Sequence, residues 1–177
     1  MATFYLPPIL KKLRKTAPDL QIEIIASNEL SDLRRREADI AIRHSRPKDE
    51  TLFAKRLRDT KARLFASKEY LDEVGRPKSL ADLEKLTFVG FDQPEQRLGL
   101  MASRGVNLTT ANFNFSTSSV TLTLELVRQG FGIGILPIDI GADYPELENP
   151  YSAFEAISIE TNLRIRVVFD LLAKGIG

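Results

Sequence analysis

Apolar residues recur along this chain at two spacings, one typical of helices and one typical of strands. Residues 6–17 carry apolar side chains three or four positions apart, which predicts a helix with prolines in its first turn and beyond its end. Residues 20–25 and 39–42 alternate as strands on either side of a second helical segment, residues 29–38. This order of helix and strand predicts a parallel sheet with a right-handed crossover.

The same two patterns continue through the rest of the chain. Ser67 and Ser79 stand where they can cap short helices, and Gly75 marks the end of the first of these. Residues 92–107 show no clear period. The predicted elements are strands at 52–57, 62–66, 87–91, 112–115 and 131–136, and helices at 68–74, 80–86, 120–129 and 165–172.

The order of these elements predicts an α/β protein of two lobes. The chain's 177 residues suffice for one core or two small lobes, and Ala66 and Ser67 mark one crossing between them. We expect no membrane span, because no run of 18 apolar residues occurs. We expect a cytoplasmic location, because no export leader opens the sequence.

Composition narrows the possible chemistry. The chain has no cysteine, which excludes disulfides, thiolate catalysis and cysteine-based zinc sites. Its net charge is +1, with 25 basic and 24 acidic residues, which argues against nucleic-acid binding by this chain alone. Neither a metal nor a cofactor is expected.

The one histidine, His44, lies in the stretch AIRHSRP. As a catalytic base it would need a nucleophile, and no Gly-x-Ser-x-Gly motif is present. As a metal ligand it would need further ligands, but the chain has no second histidine and no cysteine, and its carboxylates lack the spacing of an EF-hand. It follows a predicted strand, and ligands of open α/β sheets bind beyond such strand ends. We therefore predict a residue of a binding pocket rather than an enzyme's base.

Two clusters of short polar residues each follow a strand and precede a helix. They are Ser27-Asn28 and Ser116–Ser119. Such positions favour a carboxylate or another anion, because they combine hydroxyls with the N–H groups of a helix start. Simple capping is the alternative for either cluster alone. The helix that follows the second cluster is apolar nearly all round, which predicts a second packing partner.

Five stretches together resemble the effector-binding domain of LysR-type bacterial transcription regulators. Their order and spacing extend from residue 6 to residue 173, and they read LPPILKKLRKTAPDLQIEI, DLRRREADIAIRHSRP, LFASKEYLDEVGRPKSLADL, VRQGFGIGILP and LRIRVVFDLLA. The resemblance implies two Rossmann-like lobes of the type II periplasmic-binding-protein kind, with an effector cleft between them. We assign residues 1–66 and 155–177 to lobe I and residues 67–154 to lobe II.

The resemblance also implies functional residues and a mode of assembly. Its effector contacts correspond to Thr3, Ser27, Asn28, Arg43, His44, Ser116, Thr117 and Ser118. Its dimer interface corresponds to Leu10, Leu13, Leu122 and Leu126, within a homodimer or homotetramer. Against the family pattern, the DNA-binding helix-turn-helix and the first strand are absent, and the returning strand near Ile159–Asn162 is short.

The expected function is a ligand-sensing domain that binds a small carboxylate or amino acid and so controls transcription. DNA would be bound only through a domain that this chain lacks. A free-standing solute-binding protein of transport is the alternative, because its fold would be similar. An enzyme is not expected, since the chain offers no convergent acid and base.

Overall fold

The computed structural model describes residues 2–25, 40–43, 53–91 and 94–165. The chain divides into two compact units. Unit 1 comprises Met1–Ile24 and Ala62–Ile157, and unit 2 comprises Ile25–Lys61 and Ser158–Gly177. Unit 1 therefore contains the first helix together with the whole of predicted lobe II, residues 67–154. The sequence had placed this helix in lobe I. The assignment of the two lobes stays a prediction.

Six α-helices and seven strands lie in the described ranges. The helices are α1 Ala2–Thr16, α2 Lys68–Val74, α3 Leu80–Leu83, α4 Pro94–Ala102, α5 Val120–Arg128 and α6 Ile138–Ala142. The strands are β1 Ile40–Arg43, β2 Phe53–Ser67, β3 Val89–Phe91, β4 Phe115–Thr117, β5 Gly134–Pro137, β6 Leu147–Glu148 and β7 Ile157–Ile165. A 3-10 turn, Thr110–Asn112, precedes β4.

The strands pair in the order β1-β7-β2-β5, with β6 on β2 and with β3 and β4 as a separate pair. The pair β3 and β4 is parallel. The pairs β1 with β7 and β2 with β5 are antiparallel. The parallel sheet was predicted for residues 20–25 and 39–42, and residues 20–25 are described without a strand. The local order of helix and strand does not reveal a strand that returns from a distant part of the chain.

Several predicted boundaries also need correction. Strands 52–57 and 62–66 are one strand, β2, and helix 80–86 ends as α3 at Leu83. The segment near Ile159–Asn162 lies within the nine-residue strand β7, and its shortness relative to the family pattern stays a prediction. Ile165 ends that strand instead of starting a helix, and residues 166–177 lie outside the described ranges, as does the predicted helix 29–38.

The predicted strand at residues 20–25 is wrong as well. These residues are described without strand pairing. Alternation tells which side chains share a face, but a strand also needs a neighbour to accept its backbone hydrogen bonds. The apolar side chains of this segment are about half exposed: Leu20 54%, Ile22 48%, Ile24 50% and Ile25 61%.

The core of unit 1 packs α5 and α6 against the strands. Its buried members are Phe65, Val89, Leu124, Val127, Leu136, Ile140 and Leu147. Phe4 and Tyr5 of α1 pack partly buried against this cluster. Ser119 caps α5 by accepting a hydrogen bond from the N–H of Leu122 at 3.2 Å, and Gly130 follows the helix with a φ of 79°. The core and the cap together hold the start of α5 at the end of β4.

Candidate functional site

A cavity of about 400 Å³ lies within unit 1, where β3 and β4 lead into helices. Because these strands are parallel, their carboxyl ends lie at the same edge of the sheet. That edge is where ligands of α/β folds bind. The lining residues are Arg97, Leu98, Thr110, Phe113, Ser116, Thr117 and Ser118.

Gly90 of β3 makes room for two of the lining side chains. It is paired with Ser116 of β4 and is buried. A Cβ atom at this position would lie 2.5 Å from Oγ of Ser116 and would overlap the guanidinium of Arg97. Both contacts are closer than atoms tolerate, so a side chain at residue 90 would displace the guanidinium of Arg97 and the hydroxyl of Ser116 from their present positions.

Arg97 is the charged residue of the cavity lining. Helix α4 carries it, and the atoms Nε and Nη1 of its guanidinium are buried. Its guanidinium carbon lies 4.9 Å from the ring centroid of Phe113, a cation–π contact. Phe113 in turn packs against Phe88, with the ring centroids 5.9 Å apart. The charged group is therefore oriented by a pair of aromatic rings that contact each other at a tilt of 49°.

Asn112 fixes the loop that carries Thr110 and Phe113. Its Nδ2 donates to the carbonyl oxygens of Glu84 at 2.8 Å and Leu86 at 3.1 Å. The backbone carbonyl of Asn112 accepts a hydrogen bond from the N–H of Phe88 at 2.7 Å. These bonds tie one wall of the cavity to the chain around α3 and β3.

The polar cluster at residues 116–119 divides between capping and the cavity. Ser119 is the cap of α5, and Oγ1 of Thr117 accepts from the N–H of Ser119 at 3.0 Å. Ser116, Thr117 and Ser118 all line the cavity. Capping therefore holds for Ser119, and ligand binding by residues 116–118 stays a prediction.

Two of the remaining predicted effector residues, Thr3 and Arg43, lie in the described part of the chain. Thr3 lies on α1, where its hydroxyl is 3.4 Å from that of Thr121, and it does not line the cavity. Arg43 ends β1 opposite Asn162. Ser27, Asn28 and His44 lie outside the described residues. Their role in effector binding stays a prediction.

The sequence reasoning missed Arg97 and the helix that carries it. Gly99 interrupts the periodicity of this segment, and its apolar residues are few. A local signal was present, because Pro94 and Glu95 suit the first turn of a helix. Phe113 gave no comparable signal, since its position depends on hydrogen bonds made by Asn112 to distant backbone groups.

A second, larger cavity of about 500 Å³ lies between α2 and α3. Three of its charged residues, Arg76, Asp82 and Lys85, are already paired. Arg76 donates to Asp72 and to Glu148, both at 2.7 Å, and these hydrogen bonds raise its pKa. Lys85 contacts Asp82 at 3.0 Å. We favour the smaller cavity as the ligand site, because it lies at the strand ends.

The predicted dimer residues lie on α1 and α5. Leu122 is 48% exposed, whereas Leu126 is partly buried against the core of unit 1. Leu10 and Leu13 are partly buried. The inward face of α5 carries Leu124 and Val127, which belong to the core of unit 1. Packing in this core therefore accounts for part of the apolar character of the helix.

The C-terminal end of α5 is held by Arg128. Its Nε lies 2.6 Å from Glu146, its Nη1 lies 2.9 Å from Glu125, and its guanidinium stacks on Tyr144 at 4.6 Å. The hydrogen bond to Glu146 is the main cause that raises the pKa of Arg128. Both ends of α5 are thus fastened, the first by Ser119 and the second by this ion-pair network.

Within the described residues, no group of three His, Asp or Glu side chains could hold a metal ion. No described helix is both long and apolar enough to cross a membrane.

The chain matches the family model described as LysR substrate binding domain over residues 1–150. It is 28% identical over 193 residues to the HTH-type transcriptional regulator CrgA of Neisseria meningitidis serogroup C, covering 100% of this chain and 64% of CrgA. It is 26% identical over 140 residues to the HTH-type transcriptional activator AaeR of Escherichia coli, covering 78% of this chain and 45% of AaeR. The chain thus spans less than two thirds of either relative.

Solved structures have the same fold. The regulatory domain of CrgA from Neisseria meningitidis superposes with a TM-score of 0.80 at 24% identity, covering 100% of this chain and 94% of that one. The effector domain of AmpR from Pseudomonas aeruginosa gives a TM-score of 0.71 at 17% identity, covering 92% and 79%. The predicted α/β fold of the type II periplasmic-binding-protein kind is confirmed by these likenesses. The chain belongs to the LysR substrate-binding domain family, the ligand-sensing part of LysR-type transcriptional regulators.

Proposed function

We propose that this domain senses a small effector through the cavity at the ends of β3 and β4, and so modulates DNA binding by a domain elsewhere in a cytoplasmic regulator. The observation that carries the proposal is the convergence of Ser116, Thr117 and Ser118 on this cavity. Hydroxyls at the start of a helix suit a carboxylate or the carboxyl group of an amino acid. Ser27, Asn28, Arg43, His44 and Thr3 are the further contacts that the family resemblance implies.

Helix α5 offers a direct route from the effector to a partner subunit. It begins immediately after Ser118 and Ser119, and it carries Leu122 on its exposed side. An effector that binds one position of α5 more tightly than another shifts the population toward that position. The change in the position of α5 is then transmitted to the partner that packs on Leu122.

The partner we propose is a second copy of the chain, within a homodimer or homotetramer. The proposed interface joins Leu10 and Leu13 of α1 with Leu122 and Leu126 of α5. Ile9 of α1 is 56% exposed and Leu122 is 48% exposed, which leaves apolar area for a partner to cover. A symmetric dimer covers the same surface on both copies.

A thermal-shift screen followed by calorimetry, with small carboxylates and amino acids, tests the proposed site. Ser116→Ala and Ser27→Ala should each weaken the binding of any hit. Ser103→Ala is the control, because that hydroxyl donates to the carbonyl of Leu100 and does not line the cavity. Unchanged affinity in both site variants would remove the site assignment.

The alternative of a free-standing solute-binding protein of transport is not favoured. The relatives found are transcriptional regulators, and the chain matches them over their ligand-sensing part. An enzyme is not favoured either, because the family consists of regulators.

A further inference from the structure

We propose that helix α1 carries a cationic surface that contacts the phosphates of DNA without reading the base sequence. This α1 cationic surface consists of Lys11, Lys12, Arg14 and Lys15, four positive charges within five residues. The proposal rests on the proposed function, since that function assigns the domain to a regulator that binds DNA. It adds a contact by the sensing domain itself to the contact made by the DNA-binding domain of the longer protein.

The four cations share one side of α1. At about 100° per residue of an α-helix, their positions fall within an arc of about 160°. All four side chains are exposed. Leu6 and Leu13 fall on the opposite side of the helix, and both are partly buried. A dimer formed through Leu13 therefore leaves the middle of the cationic surface, at Lys11 and Lys15, open to a further partner.

The α1 cationic surface forms no ion pair with any described carboxylate. Cations on other described helices do pair with an acid within about one turn. Arg76 lies 2.7 Å from Asp72, and Lys85 lies 3.0 Å from Asp82. The next acidic residue in the sequence after the surface, Asp19, lies beyond the end of α1. The four charges are therefore presented to the solvent.

Helix stability does not account for the whole surface. Arg14 and Lys15 lie in the last turn, where cations interact favourably with the helix dipole. Lys11 and Lys12 precede that turn, and Lys11 is three and four residues from Arg14 and Lys15. Like charges at these spacings repel each other and destabilise a helix. An anion bound between them would relieve the repulsion.

The balanced net charge of the chain does not cancel this attraction at short range. At physiological salt the Debye length is about 8 Å, so exposed charges farther apart than this are largely screened. Lys11 and Lys15 are only about 6 Å apart along the helix axis. A polyanion beside α1 therefore interacts with four positive charges, although the net charge of the whole chain is +1.

DNA fits this surface better than a membrane or an acidic protein does. A duplex carries one negative charge per about 1.7 Å of its axis, so several phosphates lie within reach of the four cations. A membrane-binding helix needs an exposed apolar face, whereas Ile9 is the one exposed large apolar side chain among the described residues of α1. DNA held by the same regulator is also at high effective concentration, which a separate acidic protein is not.

The test measures the binding of a fluorescent DNA duplex of arbitrary sequence to the chain by anisotropy. The wild type should bind at about 50 mM salt, and the logarithm of its affinity should fall with that of the salt concentration with a slope of about −2 to −4. The α1 variant combines Lys11→Gln, Lys12→Gln, Arg14→Gln and Lys15→Gln. It should bind roughly 10-fold or more weakly at about 50 mM salt and show a flatter slope, because fewer counterions are released.

A matched control removes the same amount of charge from other elements. It combines Lys61→Gln, Arg63→Gln, Lys68→Gln and Lys78→Gln, all at exposed positions. This variant should keep most of the affinity and the full slope. The double variant Lys11→Gln with Lys12→Gln retains the cations of the last turn, so its affinity should be intermediate. It replaces the α1 variant if circular dichroism shows that the latter does not fold.

Four results would overturn the proposal. They are no duplex binding by the wild type at about 50 mM salt, unchanged binding by the α1 variant, equal weakening by the control, and tighter binding of poly-glutamate or of anionic lipid vesicles than of the duplex. Each would leave the proposed function standing, because effector binding at the cavity is measured separately by the thermal-shift screen. Absence of effector binding in that screen would instead count against the proposed function.

Discussion

At the scale of single residues, the candidate site depends on the meeting of Gly90, Arg97 and Ser116. Two strands and one helix bring these residues together, and Gly90 permits it only because it has no Cβ atom. Of the three, Ser116 could be predicted, because its place between a strand and a helix is visible in the sequence. Arg97 and Gly90 could not, since their roles arise from contacts across the fold.

Gly90→Ala should therefore remove the site. The new methyl group would displace Ser116 and Arg97, and we expect a loss of ligand binding together with about 1–3 kcal/mol of stability. Gly99→Ala on α4 is the matched control, because a Cβ atom there meets nothing within 4 Å. It should instead stabilise the chain by about 0.5–1 kcal/mol. Urea denaturation with calorimetry measures both; wild-type binding by Gly90→Ala would contradict the assigned geometry.

Asp82 should make the free energy of unfolding depend on pH in the acidic range. Hydrogen bonds from Lys85, from the hydroxyl of Ser79 and from the N–H of Lys78 lower its pKa from 3.8 to about 2. A carboxyl group whose pKa is lowered by folding contributes stability above its unfolded pKa and loses it as the pH falls through the folded value.

The comparison of wild type with Asp82→Asn tests this dependence. The two should differ most in their urea midpoint near neutral pH, and the difference should shrink as the pH falls from about 4 toward about 2. Glu69→Gln on α2 is the control, since Glu69 is exposed. A difference that stays constant over this range would show that the carboxylate charge is not involved.

At the scale of elements, the sequence predicted the helix starts, because they depend on residues close together in the chain. Helices α2 and α5 begin at the serines expected, because a capping hydroxyl satisfies backbone N–H groups within one turn. The lack of a strand at residues 20–25 and the pairing of β1 with β7 could not be derived in this way. Both depend on a neighbouring strand, and β7 comes from the far end of the chain.

Ser119→Ala should loosen the start of α5. Loss of the hydrogen bond to the N–H of Leu122 is expected to cost about 1 kcal/mol of unfolding free energy. Ser152→Ala, at an exposed loop residue, should change the stability by less than about 0.5 kcal/mol. Chemical denaturation measures both values, and equal effects would mean that the cap contributes nothing.

Leu122→Glu should separate the proposed dimer. A charge placed in an apolar interface without a partner disfavours association, while Leu122 is exposed enough in one chain for folding to survive. Light scattering after size-exclusion chromatography gives the mass. Glu73→Lys on α2 is a surface control of altered charge. A wild-type chain that is monomeric at high concentration, or a dimeric Leu122→Glu variant, would contradict the proposed interface.

At the scale of the whole molecule, the fold and family emerged from the order of motifs along the chain. No single motif was specific. The α/β order of elements, with polar clusters at strand ends, resembled a ligand-sensing domain, and the match to the family model confirms this assignment. The chain spans 64% of the length of CrgA, so the control of DNA binding is proposed for the longer protein. Three of the eight implied effector contacts, Ser27, Asn28 and His44, lie outside the described residues, and all eight remain predictions.

The most direct test of the central claim is to locate the bound effector by NMR. Amide resonances of an isotopically labelled chain are followed while the best carboxylate from the screen is titrated. We predict shifts concentrated at Ser116, Thr117, Ser118 and Arg97, with little change in α2. Saturable shifts confined to α2 and α3, around the larger cavity, would contradict the assignment of the sensing site.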